Sequence, residues 1–236
     1  VFNKKYSKSK LVNPYYFMNE LGSLLKENQI IVSADGTACV AAFQGIPIKK
    51  GQRLYTNSGC ASMGYELPAS IGAWQHNKKE IVCIAGDGSI MLNIQELTTI
   101  AENKMNIKIF LLNNDGYHSI RQTQNNFFNR QVGCGPDSDL FFPNFEKLST
   151  AHNIKYYSIK KSKDVKEKIR KTLNSKSACI CEVFLDKNQE FAPKVSSFRD
   201  SKGNIHSRPL EDQAPFLKRE ELKKLMFINL AKESKK

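Results

Sequence analysis

No two of the chain's six cysteines form a CxxC pair, and its four histidines are too scattered to complete a zinc site. There is no GxGxxG and no P-loop, which sets aside a generic nucleotide-binding domain. No apolar run approaches the roughly 20 residues needed to span a bilayer. The opening VFNKKYSKSK has no apolar core of the kind a signal peptide needs. The first residue is Val rather than Met, so the chain reads as an excised or processed piece of a longer one. No RNP pattern, zinc-finger spacing or arginine stripe accompanies the net charge of +13. The lysines are scattered, thickening only at the two ends. Neither nucleic acid nor a membrane is therefore expected as a partner. The excess charge suits a solvated surface and anionic small molecules.

What is present fits a globular protein. The 236 residues are 40% hydrophobic and 25% charged, enough for one domain of ordinary size with a real core and a tail. Cys83, Cys179 and Cys181 lie in apolar runs, where a free cysteine acts as a small hydrophobe. That usage predicts a reducing, cytoplasmic compartment.

Residues 1–10 read as a basic lead-in. Asn13 and Pro14 open a helix, as N-cap and first helical residue. Residues 30–34 form a short buried strand ending at Asp35-Gly36, and a turn at Asn57-Ser58-Gly59 precedes a helix over about 62–74. Residues 81–85 are a continuous apolar strand, followed by Gly86-Asp87-Gly88 and a helix capped by Ser89 that runs to about Glu102. The strand over 107–112 closes at Asn113-Asn114-Asp115-Gly116. Later come a strand near 154–159, a helix near 163–173 and a strand over 179–185. Alternating helices and apolar strands predict an α/β fold: an open, mostly parallel sheet with helices on both faces. From about residue 187 the text turns polar and predicts an extended C-terminal arm over 187–236, packed on a neighbouring surface, with a short helix at about 219–231.

Ligands of an open parallel sheet bind beyond the carboxyl ends of its strands. Three such ends carry polar residues: Asp35-Gly36-Thr37, Gly86-Asp87-Gly88-Ser89 and Asn113-Asn114-Asp115-Gly116. Glycines beside Asp87 let backbone approach a ligand, and the N–H groups behind Ser89 suit a diphosphate. Asp87 would repel that diphosphate unless a divalent cation lay between them. Asp87, the Asn114 amide oxygen, a backbone carbonyl and diphosphate oxygens make a hard ligand set for Mg²⁺.

Gly86-Asp87-Gly88, followed after 24 residues (89–112) by Asn113-Asn114, resembles the diphosphate and metal signature of thiamine-diphosphate (ThDP) enzymes. The stretches 92–99 and 63–69, and Gly116-Tyr117, are similar to the acetolactate synthase-like branch of that family. Arg208-Pro209-Leu210-Glu211-Asp212 resembles the end of a subgroup often encoded among cell-surface sugar genes. The resemblance covers about residues 11–186 and concerns one domain, the C-terminal diphosphate-binding domain of the ThDP-binding fold. The pyrimidine-binding domain of the family, and its usual middle domain, have no counterpart in this chain. The family's active site lies between the diphosphate domain of one subunit and the pyrimidine domain of another, which supplies the activating glutamate. The chain is thus expected to carry half a site and to work in a homodimer or homotetramer.

By that resemblance Asp87 and Asn114 ligate Mg²⁺ through side chains and Gly116 through its carbonyl. Gly88 and Ser89 hold phosphate oxygens, with Gly86, Gly36, Thr37 and Tyr117 also at the cofactor. Met63 matches the bulky residue over which the cofactor bends. Ala61 stands where the family, usually with Gly, offers a carbonyl to the pyrimidine amino group. Acetolactate synthases carry Gly-Gln-His-Gln where this chain has Gly36-Thr37-Ala38-Cys39, and Met and Trp where it has Ser119 and Thr123. That departure argues against branched-chain amino-acid synthesis but not against ThDP chemistry. His118 is a candidate acid/base, or else a loop histidine at the cofactor. Arg121 either binds a substrate carboxylate or pairs with a nearby acid.

The resemblance implies decarboxylation of a 2-keto acid such as pyruvate, with carboligation or aldehyde release, the cofactor doing the hard chemistry. Two other readings stand: a separate subunit that needs a partner chain with the pyrimidine domain, and a non-catalytic module that keeps the fold. FAD in the parent enzyme is left open.

Overall fold

A computed structural model describes residues 6, 7 and 9–235. Most of the basic lead-in expected over residues 1–10 lies outside the described residues. The chain divides into two compact units, one ending at Gln189 and the other beginning at Glu190.

The first unit is built on a six-stranded, wholly parallel sheet. Its strands are β1 (Ile30–Ser33), β2 (Arg53–Tyr55), β3 (Ile81–Gly86), β4 (Ile107–Asn113), β5 (Lys155–Ile159) and β6 (Cys179–Phe184), in the order β2-β1-β3-β4-β6-β5. Its helices are α1 (Pro14–Leu24), α2 (Thr37–Gly45), α3 (Glu66–Asn77), α4 (Asp87–Ile90), α5 (Glu96–Glu102), α6 (His118–Phe127), α7 (Phe145–Ala151) and α8 (Val165–Leu173). Alternate strand residues face two separate cores. Val82, Ile84, Phe110 and Leu112 meet α1, α2 and α8 on one side. Cys83, Ala85, Ile109 and Leu111 meet α3, α5 and α7 on the other. Both faces are covered, so the strands read as unbroken apolar runs.

Local chemistry sets the boundaries. Asn13 caps α1, its Oδ1 accepting from the amides of Tyr15 (2.9 Å) and Tyr16 (3.2 Å), with Pro14 in the first turn. The helix expected from about Ser62 begins later, at Glu66, because Ala61 (φ 52°) and Gly64 (φ 82°) are left-handed and cannot continue a helix. Pro68 then falls in the first turn, where its missing N–H costs nothing. The single helix expected from Ser89 to Glu102 is α4, a 3₁₀ turn (Met91–Asn93) and α5. Gly86, not Ser89, holds the cap position of α4. The break turns Asn93 so that its Nδ2 donates to the carbonyl of Gly64 at 2.9 Å.

Connections from β1 and β3 leave in opposite directions, to β2 and β4. The carboxyl ends of β1 and β3 therefore flank the switch point of the sheet, where the chain opens a crevice.

The second unit holds two small antiparallel pairs, Lys194–Val195 with Gln213–Ala214 and Ser197–Arg199 with Ile205–Ser207. Its helix α9 (Arg219–Leu225) stops before the expected end near Ala231. Asp212 is buried here and accepts a two-pronged bond from Arg219 at 2.7 and 2.9 Å, with Arg208 at 3.3 Å. These contacts hold the Asp212 carboxyl below its ordinary range. The Arg208 guanidinium lies 4.2 Å over the Phe198 ring. Among the described residues no helix is long and apolar enough to cross a membrane. Cys83, Cys134, Cys179 and Cys181 are buried as free thiols.

Candidate active site at three strand ends

At the end of β1, Gly36 (φ 66°) reverses the chain into α2, a conformation that favours glycine, so that Thr37 opens the helix beside the crevice. At the end of β3, Asp87 is buried and stitches two loops together. Its Oδ1 accepts from the Gly88 amide at 2.9 Å, and its Oδ2 from the amides of Asn114 (3.2 Å) and Gly116 (3.0 Å). Burial pushes the Asp87 carboxyl up to about 7, while those amides pull the other way.

The end of β4 is shaped by the same contacts. Asn114 Nδ2 donates to the Thr37 hydroxyl at 2.8 Å. Its Oδ1 is buried and has no hydrogen-bond partner among the described residues. Gly116 (φ 135°) has no room for a side chain, since a Cβ would stand 2.1 Å from the Cys134 carbonyl oxygen. The Arg121 guanidinium donates to the carbonyls of Asn114 (3.1 Å), Asp115 (2.5 Å) and Cys134 (3.2 Å). Arg121 thus clamps the loop through backbone oxygens, a role outside both of the alternatives its sequence position suggests.

Met63 is carried by the turn just before α3. The Gly64 amide donates to Ser89 Oγ at 2.9 Å, and that hydroxyl donates to Glu66 Oε2 at 2.9 Å. Gly88 is glycine for a different reason: a Cβ there would stand 2.2 Å from Tyr117 Cε1. The Tyr117 ring covers that backbone and meets Phe142 edge-on at 5.9 Å.

A cleft of about 110 Å³ brings these pieces together. Gly36, Thr37 and Met63 line it with Gly86, Asp87, Gly88 and Ser89, and so do Asn114, Gly116, Tyr117 and His118. His118 is buried at the start of α6. Ala61 is exposed and not on the cleft wall.

Two buried carboxylates have no role assigned from the sequence: Asp35, which appears there only within a polar strand end, and Glu66. Asp35 lines the cleft with both oxygens buried and without a hydrogen-bond partner among the described residues, and burial raises its pKa. Glu66 is fully buried, and desolvation pushes it up to about 7. The sequence signal for Glu66 was a lone acid within an otherwise apolar stretch, weak because helices commonly carry acids in their first turn.

Among the described residues no three His, Cys, Asp or Glu side chains gather into a self-sufficient metal site. A cation here would instead take one carboxylate, the orphaned Asn114 oxygen and a backbone carbonyl, and would need further oxygens from a bound anion. Those donors are all hard, which suits Mg²⁺.

The family described as "Thiamine pyrophosphate enzyme, C-terminal TPP binding domain" matches residues 35–183. The acetolactate synthase large subunit of Cyanidium caldarium is 31% identical over 189 residues, 80% of this chain and 32% of that protein. The acetolactate synthase isozyme 1 large subunit of Escherichia coli (strain K12) is 27% identical over 182 residues, 77% of this chain and 32% of its own length. The chloroplastic acetolactate synthase of Arabidopsis thaliana is 30% identical over 192 residues, 79% of this chain and 29% of that protein. The chain therefore spans about a third of the length of these curated relatives. It belongs to the thiamine pyrophosphate enzymes, as a C-terminal ThDP-binding domain of the acetolactate synthase-like kind.

Proposed function

We propose that residues 11–186 bind the diphosphate of ThDP through Mg²⁺ and contribute half of the active site of a decarboxylase or carboligase acting on a 2-keto acid such as pyruvate. The orphaned, buried Oδ1 of Asn114, a residue that lines the cleft together with Asp87, carries this reading. A buried acceptor without a partner costs about 1–3 kcal/mol, and a hard cation would satisfy it.

Asp87, Asn114 and the Gly116 carbonyl would hold the metal. Gly36, Thr37, Gly86, Gly88 and Ser89 would face the diphosphate, and Met63 and Tyr117 would support the rest of the cofactor. Bound ThDP supplies the carbon that attacks the keto acid and takes up its electrons when CO₂ leaves. The protein's share is to fix that carbon in place and exclude water. His118, on the cleft wall, would move a proton there. A cleft this small falls below the roughly 300–1,000 Å³ of a complete ligand site. That size supports a half-site completed by the pyrimidine domain of another subunit, in a homodimer or homotetramer. The free buried thiols support a reducing, cytoplasmic setting.

A second reading stands beside this one. In it the chain is a separate subunit whose partner chain brings the pyrimidine domain.

Calorimetric titration of the chain with Mg²⁺ and ThDP tests the core claim. Asp87→Ala and Asn114→Ala should each abolish the Mg²⁺-dependent part of the binding. Asp87→Ala should also lower the melting temperature without metal, because three amides lose their acceptor. If ThDP affinity survives both changes, the metal assignment is wrong. If the wild-type chain folds and shows no affinity, the non-catalytic reading gains.

A further inference from the structure

We infer that Glu66 is a positioning residue: through the Ser89 hydroxyl it holds the turn that carries Met63 against the Gly86–Ser89 turn, presetting two walls of the cofactor cradle. This rests on the ThDP reading above.

The geometry is a relay of directed bonds. Ser89 has one hydroxyl proton, and it goes to Glu66 Oε2 at 2.9 Å. With the proton so placed, the Ser89 lone pairs face the Gly64 amide at 2.9 Å. From the other side Asn93 Nδ2 donates to the Gly64 carbonyl at 2.9 Å. Gly64 is thereby gripped on both its N–H and its C=O, one residue after Met63. The close approach requires glycine, since a Cβ at Gly64 would stand 2.8 Å from Asn93 Nδ2 and 2.9 Å from Leu92 Cβ.

Glu66 anchors the relay to a rigid element because it is the first residue of α3. It is not on the cleft wall, so it acts through Ser89 and not on a ligand. A leucine would fill the same volume without the cost of desolvating a carboxyl. What leucine lacks is the acceptor that orients the serine. Burial also keeps a proton on this carboxyl through the acid range, which limits the negative charge set behind a diphosphate site.

The test uses the full chain with Glu66→Leu, Glu66→Gln and Ser89→Ala. Two quantities are read: amide exchange at Gly64 by NMR, and the Kd for ThDP in the presence of Mg²⁺. Glu66→Leu should speed Gly64 exchange and weaken ThDP by about tenfold, the effect of one lost hydrogen bond. Ser89→Ala should speed the exchange, and its Kd counts only against the proposal, since Ser89 itself would face the diphosphate. Glu66→Gln keeps an acceptor and should restore both. Ser89→Ala removes only a hydroxyl, so it serves if Glu66→Leu does not fold. Unchanged Gly64 exchange in Ser89→Ala overturns the relay. Faster exchange with an unchanged Kd overturns the positioning role and leaves the ThDP reading standing. A wild-type chain that protects Gly64 but binds no ThDP overturns the ThDP reading itself, and with it any positioning of that cofactor.

Discussion

The side-chain amide of Asn114 donates to the hydroxyl of Thr37 at 2.8 Å, joining two strand ends that lie 77 residues apart in sequence. This bond decides which way the amide points. With Nδ2 committed to Thr37, Oδ1 is left buried and without a hydrogen-bond partner among the described residues.

Thr37 is therefore expected to orient Asn114, the proposed metal ligand, as well as to face the diphosphate. Thr37→Val keeps the shape and removes the acceptor. Mg²⁺-dependent ThDP affinity should fall by about tenfold, the usual worth of one buried hydrogen bond. Thr37→Ser should bind as the wild type does. Calorimetric titration separates the two, and a valine variant with full affinity would refute the orienting role.

Gly88 and Tyr117 make a second pair. Adding a Cβ at Gly88 drives it into the ring at 2.2 Å. Gly88→Ala should therefore cost roughly 1–3 kcal/mol of stability, the range for overpacking a tight contact. The double variant Gly88→Ala/Tyr117→Leu should recover part of that loss. Urea denaturation of Gly88→Ala, Tyr117→Leu and the double variant measures it. Additive losses would mean that the ring is not what excludes the methyl group.

Glu66 gives the metal-free chain a pH dependence of definite sign. Its folded pKa of about 7 lies above its ordinary value of 4.5. Between those values the native chain holds a proton that the unfolded chain has lost. This group's contribution is thus fully present below about pH 4.5 and lost as pH rises through about 7. Glu66→Gln has no such group. Its stability relative to wild type should rise by up to about 3 kcal/mol between pH 4.5 and 7.5. Asp87 titrates in the same direction but is present in both proteins, so the difference cancels it. Urea melts at the two pH values decide, and a pH-independent difference would place the Glu66 proton elsewhere.

Much of the sheet was legible because its strands announce themselves. The run Ile81-Val82-Cys83-Ile84-Ala85 is buried on both faces, so no polar residue interrupts it. Asn13-Pro14 likewise marked the start of α1 by capping chemistry alone. Strand β2 and helices α2, α6 and α7 went unread, α2 and α6 for opposite reasons. The first packs through small alanines that make a weak pattern. The second is polar along most of its length and buries few of its residues, so it has no apolar stripe to find. The break between α4 and α5 was invisible for another reason. Its partner, Gly64, lies 29 residues upstream, and nothing local to Asn93 points there.

The sequence by itself determined the α/β alternation, the three polar strand ends and the acids and amides placed on them. Side-chain period and turn chemistry act over a few residues and can be read along the chain. Tertiary structure decided the strand order, which sets β1 beside β3 and opens the crevice between their ends. It also decided the orientation of Asn114, the burial of Asp35 and Glu66, and the use of Arg121 as a clamp on carbonyl oxygens. Hydrogen-bond direction and desolvation depend on which groups meet across the fold, and those meetings join residues that are remote in sequence.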